Sequence, residues 1–215
     1  MFQSINNNRV LLVFITPFLL GCISVLSFQP FNFTLVNFII FPIIFHILCE
    51  INKKSKSIYR KKPYKKNLFI LGTLFGFGFY LSNLYWISLS LTFDDSFKFL
   101  IPFSLILIPL FLSLFYSLVV LFVGPYLRTD LTSILLFSSS LAISDFLRAK
   151  ILSGFPWNSW AYSFSWATEI IQFLNISGFF SFNLIIITIF LLPLAILFKS
   201  STKKKFLSFI LNILI

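Results

Sequence analysis

Long apolar runs recur along the chain at 10–28, 31–49, 68–91, 99–123, 131–147 and 178–198, with a shorter one at 206–215. A helix needs about 20 apolar residues to cross the hydrocarbon of a bilayer, and a backbone in that medium must satisfy its own hydrogen bonds. The first six runs are therefore expected to cross a membrane as helices, and the seventh is half a span. Only 11% of the residues are charged and 58% are hydrophobic. Soluble domains carry roughly a quarter charged residues, so a water-soluble fold of this size could not hide so much apolar surface. The predicted fold is an all-α polytopic transmembrane helical bundle, six full spans plus a truncated seventh, forming one domain over 1–215. Only Gln29 and Pro30 separate the first two runs, which predicts a tight helical hairpin there.

The net charge of +11 would suggest nucleic acid in a soluble protein. Here the basic residues sit between apolar runs, so they report topology and no nucleic-acid partner is expected. Lys53, Lys54, Lys56, Arg60, Lys61, Lys62, Lys65 and Lys66 lie between the second and third runs, and Lys199, Lys203, Lys204 and Lys205 follow the sixth. If every run crosses, Arg9 and Arg128 fall on the same side, and of the basic residues only Lys98, Arg148 and Lys150 do not. Basic loops stay in the cytoplasm, which places the N-terminus there and the 148–177 segment outside. The 53–66 loop reads as a topology anchor, with specific binding of anionic lipid as the alternative. No internal repeat of the inverted-transporter kind is visible.

Cys22 and Cys49 offer neither metal spacing nor a disulfide framework, and no metal is expected. Leu19-Leu-Gly-Cys22 has the look of a lipoprotein signal, but apolar sequence continues past Cys22 straight into a second span. His46, the one histidine, and Glu50 sit near the cytoplasmic end of the second run and read as interfacial groups. In the third run, Gly72, Gly76, Gly78 and Ser82 put small residues near one face, as close helix packing requires. Asn83, Tyr85 and Trp86 follow, either as an aromatic belt or as the lining of a pocket.

The fifth run ends in Ile-Ser-Asp-Phe-Leu-Arg-Ala-Lys, where Asp145 and Arg148 stand i, i+3 and can pair on one helix face. Gly154-Phe155-Pro156-Trp157 then stops the helix, since Gly and Pro break it and the residue before Pro is pushed to extended geometry. Three of the four tryptophans, Trp157, Trp160 and Trp166, fall in this stretch together with Tyr162. The expectation is a non-helical aromatic segment lying in the outer headgroup layer. It is longer than a plain connection requires, which is common for functional loops.

Four stretches together resemble the membrane half of bacterial apolipoprotein N-acyltransferase. They are "GCISVLSFQPF" at 21–31, "GFGFYLSNLYWISLSL" at 76–91, "SDFLRAKILSGFPWNSWAYS" at 144–163 and "GFFSFNLIII" at 178–187. The third is the most specific: an acidic residue, aromatic-Leu-Arg, a spacer, Gly-Phe-Pro-Trp, and then a Tyr-Ser pair. Asp145 stands where the family usually has Glu, and Ala161 where it usually has Gly. The resemblance covers nearly the whole chain.

The resemblance implies a protein of the bacterial inner membrane that acts in lipoprotein maturation. Such enzymes move an acyl chain from a phospholipid donor to the N-terminal amine of a diacylglyceryl-cysteine lipoprotein. They do so through the Glu-Lys-Cys triad of a nitrilase-like domain, with no cofactor. Neither Cys22 nor Cys49 matches that nucleophile, so the resemblance implies no catalytic residue within these 215 positions. By itself the chain is expected to be inactive, with a nitrilase-like domain lost, cut off or separately encoded as its partner. Gly154, Phe155, Pro156 and Trp157, with Tyr162, Trp86 and Tyr85, are the residues expected to meet lipid and substrate. Asp145 and Arg148 are expected to brace that segment. A non-enzymatic lipid-binding or assembly protein and a small transporter are the other readings, although a transporter should carry more polar residues deep in its spans.

Overall fold

The computed structural model describes residues 11–55, 64–151 and 156–199. Every regular element among them is helical. Six long helices carry the fold: α1 (Leu11–Ser27), α2 (Asn37–Ser55), α3 (Tyr64–Leu84), α4 (Ile101–Val123), α5 (Leu131–Ile151) and α6 (Phe179–Lys199). Each occupies one of the first six apolar runs. The half-span at 206–215 lies outside the described residues, as do Gly154 and Phe155.

Among the described residues, three helical stretches are long and apolar enough to cross a membrane by length and composition: Thr34–Asn52, Lys65–Thr92 and Asp95–Tyr126. Leu11–Ser27 and Phe179–Ala195 are shorter apolar helices. The segments are less uniform than their hydropathy suggests. Helix α1 opens with a π-turn at Leu11–Ile15 and tightens to a 3-10 turn at Ser24–Ser27. There the Ser24 and Ser27 hydroxyls donate back to the carbonyls of Gly21 and Ser24, competing with the regular ladder. Helix α3 gives way after Leu84 to a 3-10 stretch, Tyr85–Thr92.

The helices alternate in direction, so loops 28–33, 85–100 and 156–178 gather at one end. At the other end the Asn52 side chain donates to the Leu127 carbonyl at 2.7 Å. Around the bundle α3 meets α4, α4 meets α5, α5 meets α6, α6 meets α2, and α2 returns to α3; α1 lies outside this ring against α3. The expected hairpin is thus a tight reversal whose two helices have other main partners: α1 packs chiefly on α3, and α2 on α6.

Small residues explain the closest contacts. Gly72 and Gly76 face α4, where a Cβ on either would lie 2.8 Å from the Ser117 Cα or 2.9 Å from the Ser113 Cα. The serines stand four residues apart on α4 as the glycines do on α3. Two backbones therefore approach along matching small-residue stripes, and a Thr73–Ser117 hydroxyl contact at 2.7 Å seals the seam. Gly78 turns the other way, against α1, where it and Gly21 press on each other's helix backbones. Helix α3 is hence the central strut, with one glycine face for each neighbour.

Candidate functional site

Asp145 and Arg148 pair as the i, i+3 spacing predicts: Arg148 Nη2 donates to Asp145 Oδ1 at 3.1 Å. The depth of this pair is not visible from spacing. The Arg148 side chain is 0% exposed and that of Asp145 only 7%. A buried ion pair survives only when its remaining hydrogen-bonding capacity is largely used, and here most of it is: both Nη atoms donate, and Nε is the one buried polar atom of the pair without a hydrogen bond. Asp145 Oδ2 accepts from Asn183 Nδ2 of α6 at 2.9 Å. Arg148 Nη1 donates to the Trp157 carbonyl at 2.7 Å, and its guanidinium lies over the Tyr80 ring at 5.5 Å. Asn183 Oδ1 in turn accepts the Ala161 backbone N–H at 2.9 Å.

One relay therefore holds the loop at two points, the Trp157 carbonyl and the Ala161 N–H. Between them Asn158 takes φ 59, a left-handed conformation that Asn tolerates better than most non-glycine residues. Ser159 Oγ closes the turn by donating to the Pro156 carbonyl at 2.9 Å. The turn sends neighbouring tryptophans in opposite directions.

Trp157 points outward, 52% exposed, with its ring 5.7 Å from that of Trp86, itself 45% exposed. Trp160 points inward and is 0% exposed. Its indole N–H donates to the Tyr116 hydroxyl at 2.9 Å, and the rings of Phe41 and Phe79 lie 4.7 Å from it. Phe28 and Phe75 complete the cage. This corrects the expectation that Trp160 lies in the headgroup layer. An indole is large and apolar with one donor, so it suits a core that supplies an acceptor as well as it suits an interface. Trp166 keeps an exposed face while its indole N–H donates to Thr34 Oγ1 at 2.8 Å. Thr34 Oγ1 passes the link on to the Ser163 carbonyl at 2.6 Å.

The other predicted residues fall on the same end of the bundle but not in one cluster. Tyr85 is exposed beside Trp86 at the start of the 3-10 stretch. Tyr162 is exposed and packs on Phe179 at the α6 side, ring centroids 5.0 Å apart. Pro156 is half-buried and contributes the carbonyl that Ser159 uses. Asn183, Tyr116, Tyr80 and Thr34 were missed. The signal for Asn183 was present: a lone amide inside an apolar run costs free energy unless it has a partner, and Asp145 was the unspent acceptor. Among the described residues no group of three His, Cys, Asp or Glu could hold a metal ion.

Fold and site define a helical membrane protein in which a buried ion pair orders an aromatic loop at the end of the bundle. Residues 20–192 match the apolipoprotein N-acyltransferase N-terminal domain, and the chain belongs to that family. It is 32% identical to an apolipoprotein N-acyltransferase of Rhodopseudomonas palustris over 188 residues, 87% of this chain and 34% of the relative. The Rickettsia typhi protein of the same name is 32% identical over 191 residues, covering 88% of this chain and 36% of the relative. That of Brucella melitensis is 27% identical over 182 residues, 83% of this chain and 34% of the relative. The chain thus spans about a third of the length of these relatives.

Proposed function

We propose that this chain is the membrane domain of an apolipoprotein N-acyltransferase and presents lipid and lipopeptide to acyl transfer at the outer face of a bacterial inner membrane. In this reading its six helices all cross, the 206–215 run begins a seventh crossing, and the N-terminus is cytoplasmic. The acyl transfer itself falls to a nitrilase-like domain above the outer leaflet, which takes the chain from a phospholipid and gives it to the amine of a diacylated lipoprotein. Trp157, Trp86, Tyr85 and Tyr162, with Gly154, Phe155 and Pro156, form the rim that lipid and substrate pass. Asp145 and Arg148 hold that rim in place.

The observation that carries this reading is the split between Trp157's two halves. Its carbonyl is tied to a buried guanidinium while its ring stays exposed against Trp86. A ring that served only packing would turn inward as Trp160 does. A ring left outward on a backbone held this firmly is pre-ordered for contact with another molecule, which lowers the entropy lost on binding.

Photo-crosslinking tests the rim. A photoreactive phenylalanine analogue replaces Trp157 or, as the control at the opposite end, the exposed Phe122. In vesicles the Trp157 site should label a diacylated lipopeptide and lose that labelling to unlabelled competitor, whereas the Phe122 site should not. Equal, uncompeted labelling at both would reduce the rim to ordinary lipid contact. Thiol labelling tests the orientation. Phe93, 91% exposed in the loop before α4, should react from outside the cell as Phe93→Cys, and Tyr126→Cys should not. The reverse pattern would invert the topology.

A further inference from the structure

We infer that Asn183 is a positioning residue for the Trp157 rim, acting from a different helix through Asp145 and Ala161. Asn183 is fully buried one turn into α6, and both ends of its amide are used. Nδ2 donates to Asp145 Oδ2 at 2.9 Å, and Oδ1 accepts the Ala161 N–H at 2.9 Å. Asp145 and Arg148 both belong to α5, so by themselves they fix the loop only to that helix. Asn183 joins this pair to α6 and, through Ala161, closes a loop of contacts: Trp157 carbonyl, Arg148, Asp145, Asn183, Ala161 N–H. Trp157 is held in a closed frame because its downstream neighbour four residues on is held by the same relay.

To stand between a carboxylate and a backbone N–H a side chain must both donate and accept, and the amide does so at two separate atoms. Leucine would leave both Asp145 Oδ2 and the Ala161 N–H unpaired. Aspartate would keep the Ala161 bond and set two carboxylates against each other. The Asp145→Asn, Asn183→Asp exchange restores every bond in reverse order. An amide at 145 accepts from Arg148 and donates to a carboxylate at 183, which accepts from Ala161. The net charge is unchanged.

The experiment reads loop position directly. In the full 215-residue chain, with Cys22 and Cys49 replaced by alanine, Trp86→Cys and Trp157→Cys are bridged with a short bismaleimide, and the melting temperature is measured alongside. Asn183→Leu and Asn183→Asp should each slow bridging about tenfold, as expected for a loop freed from a buried hydrogen-bond relay. The Asp145→Asn, Asn183→Asp exchange should recover most of the rate. Thr188→Val removes another hydrogen bond of the same α5–α6 interface, Thr188 Oγ1 to Ser138 Oγ at 2.9 Å, and should lower the melting temperature without slowing bridging. If Asn183→Leu lowers stability but bridges as Thr188→Val does, or if the exchange restores nothing, Asn183 is only an interface residue. That Trp157's position matters for substrate rests on the functional reading above. Slowed bridging with unchanged lipopeptide labelling would sink that reading and leave the positioning intact.

Discussion

Trp160→Ala tests the largest departure from what hydropathy suggests. If Trp160 were an interfacial residue, its removal would cost little. In the structure it fills the centre of the bundle, caged by Phe28, Phe41, Phe75 and Phe79 from the end of α1, α2 and α3, and bonded to Tyr116 of α4. Truncating a buried Trp to Ala costs about 3–5 kcal/mol, the upper half applying where the walls cannot collapse. These walls belong to helices fixed elsewhere by backbone contacts at Gly72 and Gly76, so about 4 kcal/mol is expected. At roughly 2–4 °C per kcal/mol for a chain of this size, the melting temperature should fall by about 8–16 °C. Heating in detergent followed by size-exclusion chromatography measures it. Trp166→Ala is the control: Trp166 is half exposed and makes one hydrogen bond, so its loss should cost about 1 kcal/mol. A Trp160→Ala shift no larger than the Trp166→Ala shift would refute the inward placement. A double-mutant cycle of Trp160→Phe with Tyr116→Phe should show about 1 kcal/mol of coupling, and none if the indole N–H bond is absent.

Other perturbations separate the fold's supports. Arg148→Met or Asp145→Leu alone leaves an uncompensated buried charge and should destabilise by about 3–5 kcal/mol, while the double variant should cost clearly less than their sum in the same heating assay. Gly21→Ala drives a methyl into the α3 backbone, 2.8 Å from the Phe79 nitrogen, whereas Gly124→Ala meets only the Leu68 side chain at 3.0 Å. The first should lower the melting temperature despite a helix-propensity gain of about 1 kcal/mol, and the second should be near neutral. In the lipopeptide-labelling assay, placed on a neutral reporter position of the rim, Trp157→Ala should reduce labelling more than Trp86→Ala. Equal losses would make the two rings one interchangeable surface.

Much of this could be read from the chain because it follows from local geometry. Asp145 and Arg148 share a helix face by spacing alone, and Gly72 and Gly76 mark a packing face by the same rule. The family resemblance at 144–163 pointed to the segment where the structure places its ordered loop. What escaped was anything that depends on who stands opposite. Nothing near Trp160 in sequence announces Tyr116, which is on another helix, so burial and interface looked alike for its indole. The reversal at Gln29–Pro30 suggested a helix pair, yet α1 is drawn to α3 because only α3 offers a glycine at the matching height. Polarity inside a greasy run was the underused clue. An amide at 183 needs a partner in that run, and the Asp145 carboxylate is the acceptor within reach.

The placement of the ion pair within a single helix also bears on how the chain is made. Synthesis runs from the N-terminus, so α5 is made before α6 exists. A lone charged Asp or Arg inside an apolar helix is costly. Because Asp145 and Arg148 are one turn apart, each can offset the other as soon as that turn forms, with no later helix needed. Asn183 arrives last and finds a carboxylate already oriented. The loop between them, made before α6, can be tied at Trp157 by α5 alone, and its second hold at Ala161 waits for α6 to dock.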